Sequence, residues 1–219
     1  MEVKKKVVKK VKKTEIKFPT RWITHTIKDT TIFIDELPNT ALLRNEYYVG
    51  EWCRYENCKF IITLKDDPKS IYFDECIFEN CTFYRRPSPR NCKLDIIFTA
   101  CDFNNNIEFF ESMNERINLI EFESCTINGL KPKFNTIFKL DQLIFSHCYT
   151  LTNVNLGTTI TDDIGLLDNM EYKNVDLSNV VASEIRFRDK HLLKYYDEKK
   201  IKFAPGQIID YERIEKKKE

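Results

Sequence analysis

The segments CRYENCKF (53–60) and CIFENCTF (76–83) are near-copies of each other, and their pattern decides the fold. Working outward, four more eight-residue segments align with them without gaps: IIFTACDF (96–103), IEFESCTI (120–127), LIFSHCYT (143–150) and MEYKNVDL (170–177). Their starts lie 23, 20, 24, 23 and 27 residues apart. The third position is always aromatic: Tyr55, Phe78, Phe98, Phe122, Phe145 and Tyr172. The sixth is Cys58, Cys81, Cys101, Cys125 and Cys148, then Val175. Self-similarity at an interval of twenty-odd residues marks a repeat architecture. These two columns form the expected core ladder.

Within each segment the apolar positions are 1, 3, 6 and 8, a period of five. A strand alone gives a period of two and a helix about 3.6. A five-residue period needs a corner after each short extended stretch, so that four stretches close a coil of about twenty residues. The segments resemble the pentapeptide-repeat family, in which each unit turns a small residue and a Leu or Phe inward. Val175-Asp176-Leu177-Ser178-Asn179 is close to that family's ideal unit, and MEYKN VDLSN VVASE IRFRD (170–189) supplies four consecutive units. The resemblance covers roughly 53–189, with a further rung expected at TTIFIDEL (30–37).

The resemblance implies an all-β fold, a right-handed parallel β-helix of about six or seven rungs across residues 29–189. A basic N-terminal arm and cap are assigned to 1–28, and a short helical cap with a charged tail to 190–219. Trp22 is expected over one end and HLLKYYDEKK (191–200) over the other. The departures from the family are inserts such as TLKDDPKS (63–70), RRPSPR (85–90) and FESMNERIN (110–118). Cysteine serves the core as a small apolar filler. A serine there is expected to bury a hydroxyl without a partner.

The chemistry-bearing residues point away from catalysis. The cysteines fall in a packed column rather than in the close pairs or Cys/His sets that zinc takes. Next to Cys148, His147 is expected to point to the opposite side, which disfavours a nucleophile–base dyad. Glu56, Glu79 and Glu123 form an expected outward acidic ladder. No Gly-rich phosphate loop, Ser-His-Asp set or hexapeptide period is present. A non-enzymatic protein with no catalytic residues, no metal site and no cofactor is therefore expected.

The 219 residues carry 35 basic and 34 acidic side chains, a net charge of +1. That balance weighs against the alternative that the family suggests, a DNA-mimicking rod that binds a topoisomerase. A cytosolic adaptor or effector is a further alternative. The basic charge gathers at the N-terminus, in Lys4, Lys5, Lys6, Lys9, Lys10, Lys12 and Lys13. Such an arm suits an acidic protein face, nucleic acid or an anionic membrane. No run reaches the roughly 20 apolar residues of a membrane span, and no secretory h-region is present. Eight cysteines without such a signal imply free thiols in an intracellular, reducing compartment, cytoplasm or virion.

The functional expectation is a scaffold subunit making protein–protein contacts in a larger assembly such as a virus particle or organellar complex. The outward residue between the first two inward ones reads Arg54, Ile77, Ile97, Glu121, Ile144 and Glu171. Ile77, Ile97 and Ile144 are the candidate interface, with Ile77 and Ile97 expected as stacked neighbours. An insert of the chain, a second copy in a homodimer, or a foreign subunit would cover them.

Overall fold

The structure is a computed structural model that describes residues 23–34, 46–62, 70–85, 94–109, 117–132, 137–188, 201–207 and 209–211. Its strands pair in parallel throughout, and no helix occurs among the described residues. The chain is an all-β parallel solenoid of about five full turns, fewer than the six or seven rungs expected. Both ladders continue past those turns, but the strands beyond them supply only part of a perimeter. The basic arm, Trp22 and the expected helical cap lie outside the described residues.

Wall 1 is a ladder of eight strands: β3 (Glu46–Glu51), β6 (Ser70–Asp74), β9 (Asp95–Thr99), β11 (Ile117–Glu123), β13 (Phe138–Ser146), β15 (Thr159–Leu167), β18 (Val181–Arg188) and β20 (Ile209–Tyr211). Wall 2 stacks β1 (His25–Lys28), β4 (Cys53–Glu56), β7 (Ile77–Glu79), the start of β10 (Asp102–Phe109), β12 (Thr126–Pro132), β14 (Thr150–Val154) and β16 (Tyr172–Lys173). Wall 3 begins with β2 (Thr31–Ile34), β5 (Lys59–Ile62) and β8 (Thr82–Arg85), joined by the end of β10. After the corresponding corner of a later turn, β17 (Val175–Leu177) pairs β19 (Ile201–Phe203).

The single aromatic column of the sequence resolves into two. On wall 1 the register aligns Phe73, Phe98, Phe122, Phe145, Leu166 and Phe187. On wall 2 it aligns Tyr55, Phe78, Phe103, Ile127, Leu151 and Tyr172. Rings stack within a column, with Phe98 5.2 Å from Phe122 at 9° and Phe122 5.0 Å from Phe145 at 6°. Between columns they meet edge to face, as Phe98 and Phe103 do at 5.1 Å and 80°. Both arrangements suit the ring quadrupole, at about 0.5–1.5 kcal/mol per pair beyond burial.

The slip has a visible origin. Segments 53–60, 76–83 and 170–177 start on wall 2, whereas 96–103, 120–127 and 143–150 start on wall 1. The 20-residue interval from 76 to 96 therefore falls one five-residue unit short of a full turn. In the fifth segment the corner gains a residue, so Leu151, not Thr150, takes the inward place beside Ile127.

Corners are made by residues in the left-handed region. Between walls 1 and 2 these are Trp52, Glu75, Ala100, Ser124, His147 and Asp168, at φ 47–54°. At the next corner Asp29, Asn57, Asn80, Asn105, Asn153 and Asn174 predominate, with Gly129 at φ 93°. Asn and Asp tolerate this region better than other side chains. The amides also stack: Asn174 Nδ2 donates to Asn153 Oδ1 at 3.0 Å, and Asn153 Nδ2 to Asn128 Oδ1 at 3.1 Å.

Candidate interaction faces

The cysteines occupy two corners rather than one column. Cys53, Cys76, Cys101, Cys125 and Cys148 each follow the corner residue between walls 1 and 2; Cys58 and Cys81 follow the next corner, as Val175 does. All but the half-buried Cys53 are buried, and all of these thiols are free. They are not partnerless fillers. Cys125 Sγ donates to the carbonyls of Phe98 and Glu123, each at 3.3 Å, and Cys101 Sγ to those of Phe73 at 3.4 Å and Thr99 at 3.3 Å. One carbonyl lies a turn below and the other two residues back, so these thiols stitch consecutive turns, as those of Cys58, Cys81 and Cys148 do.

Asn169 takes over the same task above Cys148. Its Nδ2 donates to Phe145 O at 3.0 Å and to the Tyr172 hydroxyl at 3.0 Å, while its Oδ1 accepts from Cys148 N at 2.8 Å. A hydroxyl placed in this column would find acceptors, contrary to the sequence expectation. Burial pushes the Cys148 thiol up to about 12 and the Cys81 thiol up to about 11. Protonated thiols are poor nucleophiles and poor ligands. Among the described residues, no three His, Cys, Asp or Glu side chains gather as a metal site. His147 is exposed at its corner, with Cys148 turned inward.

The outer face of wall 2 is ionic and amide-rich. Glu56 receives Lys28 Nζ at 2.6 Å and Arg54 Nε at 2.7 Å, and Arg54 Nη2 reaches Glu79 at 2.9 Å. The bond from Lys28, joined by Arg54, holds the Glu56 carboxyl below its usual range. Beyond them stand Asp102, Thr126 and Thr150 in one row and Asn104, Asn128 and Thr152 in the other. Glu123 is not part of the Glu56–Glu79 ladder, because it lies on wall 1 beside Thr99 and Ser146.

Wall 1 differs outside. Its central outward row reads Tyr72, Ile97, Glu121, Ile144, Gly165 and Arg186. Ile97 and Ile144 flank Glu121, and Leu119 and Leu167 stand in the adjoining rows, all but Gly165 half-buried. Burial among these neighbours raises the Glu121 carboxyl, partly opposed by a hydrogen bond from Ser146 Oγ at 3.3 Å. Arg186 clasps Asp163 through two bonds, with Nε 2.9 Å from Oδ1 and Nη2 on Oδ2.

Of the predicted interface residues, Ile97 and Ile144 share this face, two turns apart. Ile77 does not join them. It stands on wall 2 between Arg54 and Asp102, because its segment begins one wall later in the coil. The seven lysines of the arm lie outside the described residues. Tyr72, Leu119 and Leu167 escaped the sequence reading because they fall outside the eight-residue segments; the spacing from Phe73 to Phe98 would have found them. No helix among the described residues is long and apolar enough to cross a membrane. No known protein family, curated protein or solved structure matches the chain.

Proposed function

We propose that this solenoid is a non-enzymatic scaffold element that docks other protein through the outer face of wall 1. The observation that carries the reading is the apolar strip of Ile97 and Ile144 with Tyr72 and Leu119, on one of two walls whose interiors are equivalent. Nothing in the packing of the core asks for isoleucine on the outside. Apolar residues gathered on one face, here on either side of Glu121, point to contact, unlike apolar residues scattered over the surface. The rigid, regularly spaced ladder suits a part that fills a fixed place in a larger assembly.

The pentapeptide resemblance belongs to the same proposal. From Thr159 the inward buried positions run Thr161, Ile164, Leu166, Asn169, Tyr172, Val175, Leu177, Val180, Ile185 and Phe187. Steps of two and three residues predominate, with three successive threes from Leu166 to Val175 and a five before Ile185, and they support the five-residue unit and with it a four-sided, right-handed coil. Met170 departs from it: the longer corner leaves it exposed, and Asn169 fills its place.

The test is Ile97→Lys combined with Ile144→Lys. Circular dichroism and thermal melting should stay near wild type, while the native protein should shift from a large assembly to free chain in sedimentation of source extracts. Unchanged sedimentation of a folded variant would defeat the proposal.

A further inference from the structure

Taking wall 1 as the docking face, we infer that its partner is a second copy of this chain, packed face to face with the solenoid axes antiparallel. A two-fold axis along the strands, passing between the levels of Glu121 and Ile144, reverses the order of turns. It sets Ile97 of each copy opposite Gly165 of the other, and Tyr72 opposite Arg186. Ile97 of one copy then lies over Gly165 of the other, the one residue of the row without a side chain. Gly165 is buried, and a Cβ there would meet the outward side chains of Ile144 and Leu167, each at 3.4 Å, so Ile97 packs on an apolar surface made by those two neighbours.

The row nearest the corner is self-complementary under the same reversal. It runs from Asp74 to Arg188, whose Nε also lies 3.6 Å from Asp168 of its own chain, so each copy's acid meets the other's guanidinium, and Thr99 meets Leu167. A parallel arrangement would instead put Glu121 on Glu121, and like charges across an interface suppress association. The antiparallel pair leaves one like-charged meeting, Asp95 with Asp163, and Arg186 already neutralises Asp163.

Size agrees. Eight strands at about 4.8 Å give roughly 34 Å of height, and five residues give roughly 16 Å of width. The resulting footprint of about 550 Å² per copy passes the roughly 1,000 Å² total that separates specific interfaces from incidental ones. An isologous two-fold contact also closes on itself and makes no fibre.

Light scattering of the purified full chain should give twice the 26.1 kDa protomer mass. Ile97→Cys with Gly165→Cys should then form a disulfide-linked dimer on mild oxidation. Within one chain these positions are three strand spacings apart, about 14 Å, beyond the roughly 7 Å a disulfide can bridge. As a second measure that spares Gly165, Asp74→Arg or Arg188→Asp alone should weaken the dimer about tenfold, and the two together should restore it. A dimer that neither cross-links nor responds to the charge swap overturns the antiparallel pairing. A monomer at every concentration overturns the second copy as partner. In that case, loss of the native assembly in Ile97→Lys/Ile144→Lys would keep the docking face with a foreign subunit, and its persistence would sink both.

Discussion

Walls 1 and 2 are alike inside and unlike outside. Each turns one large aromatic or aliphatic side chain per turn inward, and Phe122 is as enclosed as Phe103. Outside, wall 2 carries the Lys28–Glu56–Arg54–Glu79 chain and an amide ladder, whereas wall 1 carries Tyr72, Ile97 and Ile144. The interior answers to one demand, close packing of identical turns, and so repeats. The exterior answers to whatever touches it, and there the walls diverge. For such a solenoid, that divergence is the informative signal of function.

The comparison is broken most severely if the interiors are not equivalent. Phe122→Ala on wall 1 and Phe103→Ala on wall 2 should each cost about 3–5 kcal/mol, as large cavities in a packed core. Denaturant unfolding measures both, and a difference above about 2 kcal/mol would mean that one wall bears most of the stability.

The shared corner sharpens the comparison through pH. The Cys148 thiol titrates near 12 in the folded chain and near 8.5 once unfolded. Between those values the folded state keeps a proton that the unfolded state has lost, so stability is unaffected below about pH 8.5 and falls as pH rises toward 12. The slope contributed by Cys148 is at most about 1.4 kcal/mol per pH unit. Thermal melts across this range should decline less steeply in Cys148→Ala; equal slopes would show that the thiol is not sealed in the corner.

The smallest effect on the fold comes from the outer faces, where it discriminates best. Ile77→Lys on wall 2 and Ile97→Lys on wall 1 should both leave unfolding within about 0.5 kcal/mol of wild type. Only Ile97→Lys should change the sedimentation of the protein. Equal behaviour of the two variants would erase the distinction between the walls.

By itself the sequence determined that the chain is a β-solenoid and that its aromatic and cysteine positions turn inward. Those facts are local, because a five-residue period fixes which side chains turn inward whatever lies above or below. It could not determine which wall a segment starts on. Every wall presents the same inward pattern, so sliding the alignment by one five-residue unit loses almost nothing, and Phe78 and Phe98 fell into one column although their rings meet edge to face. Outward neighbours depend entirely on that choice. Only the tertiary structure, through hydrogen bonds between turns, separated Ile77 from Ile97, gave the thiols their carbonyl partners, and gathered Tyr72, Ile97 and Ile144 on a single face.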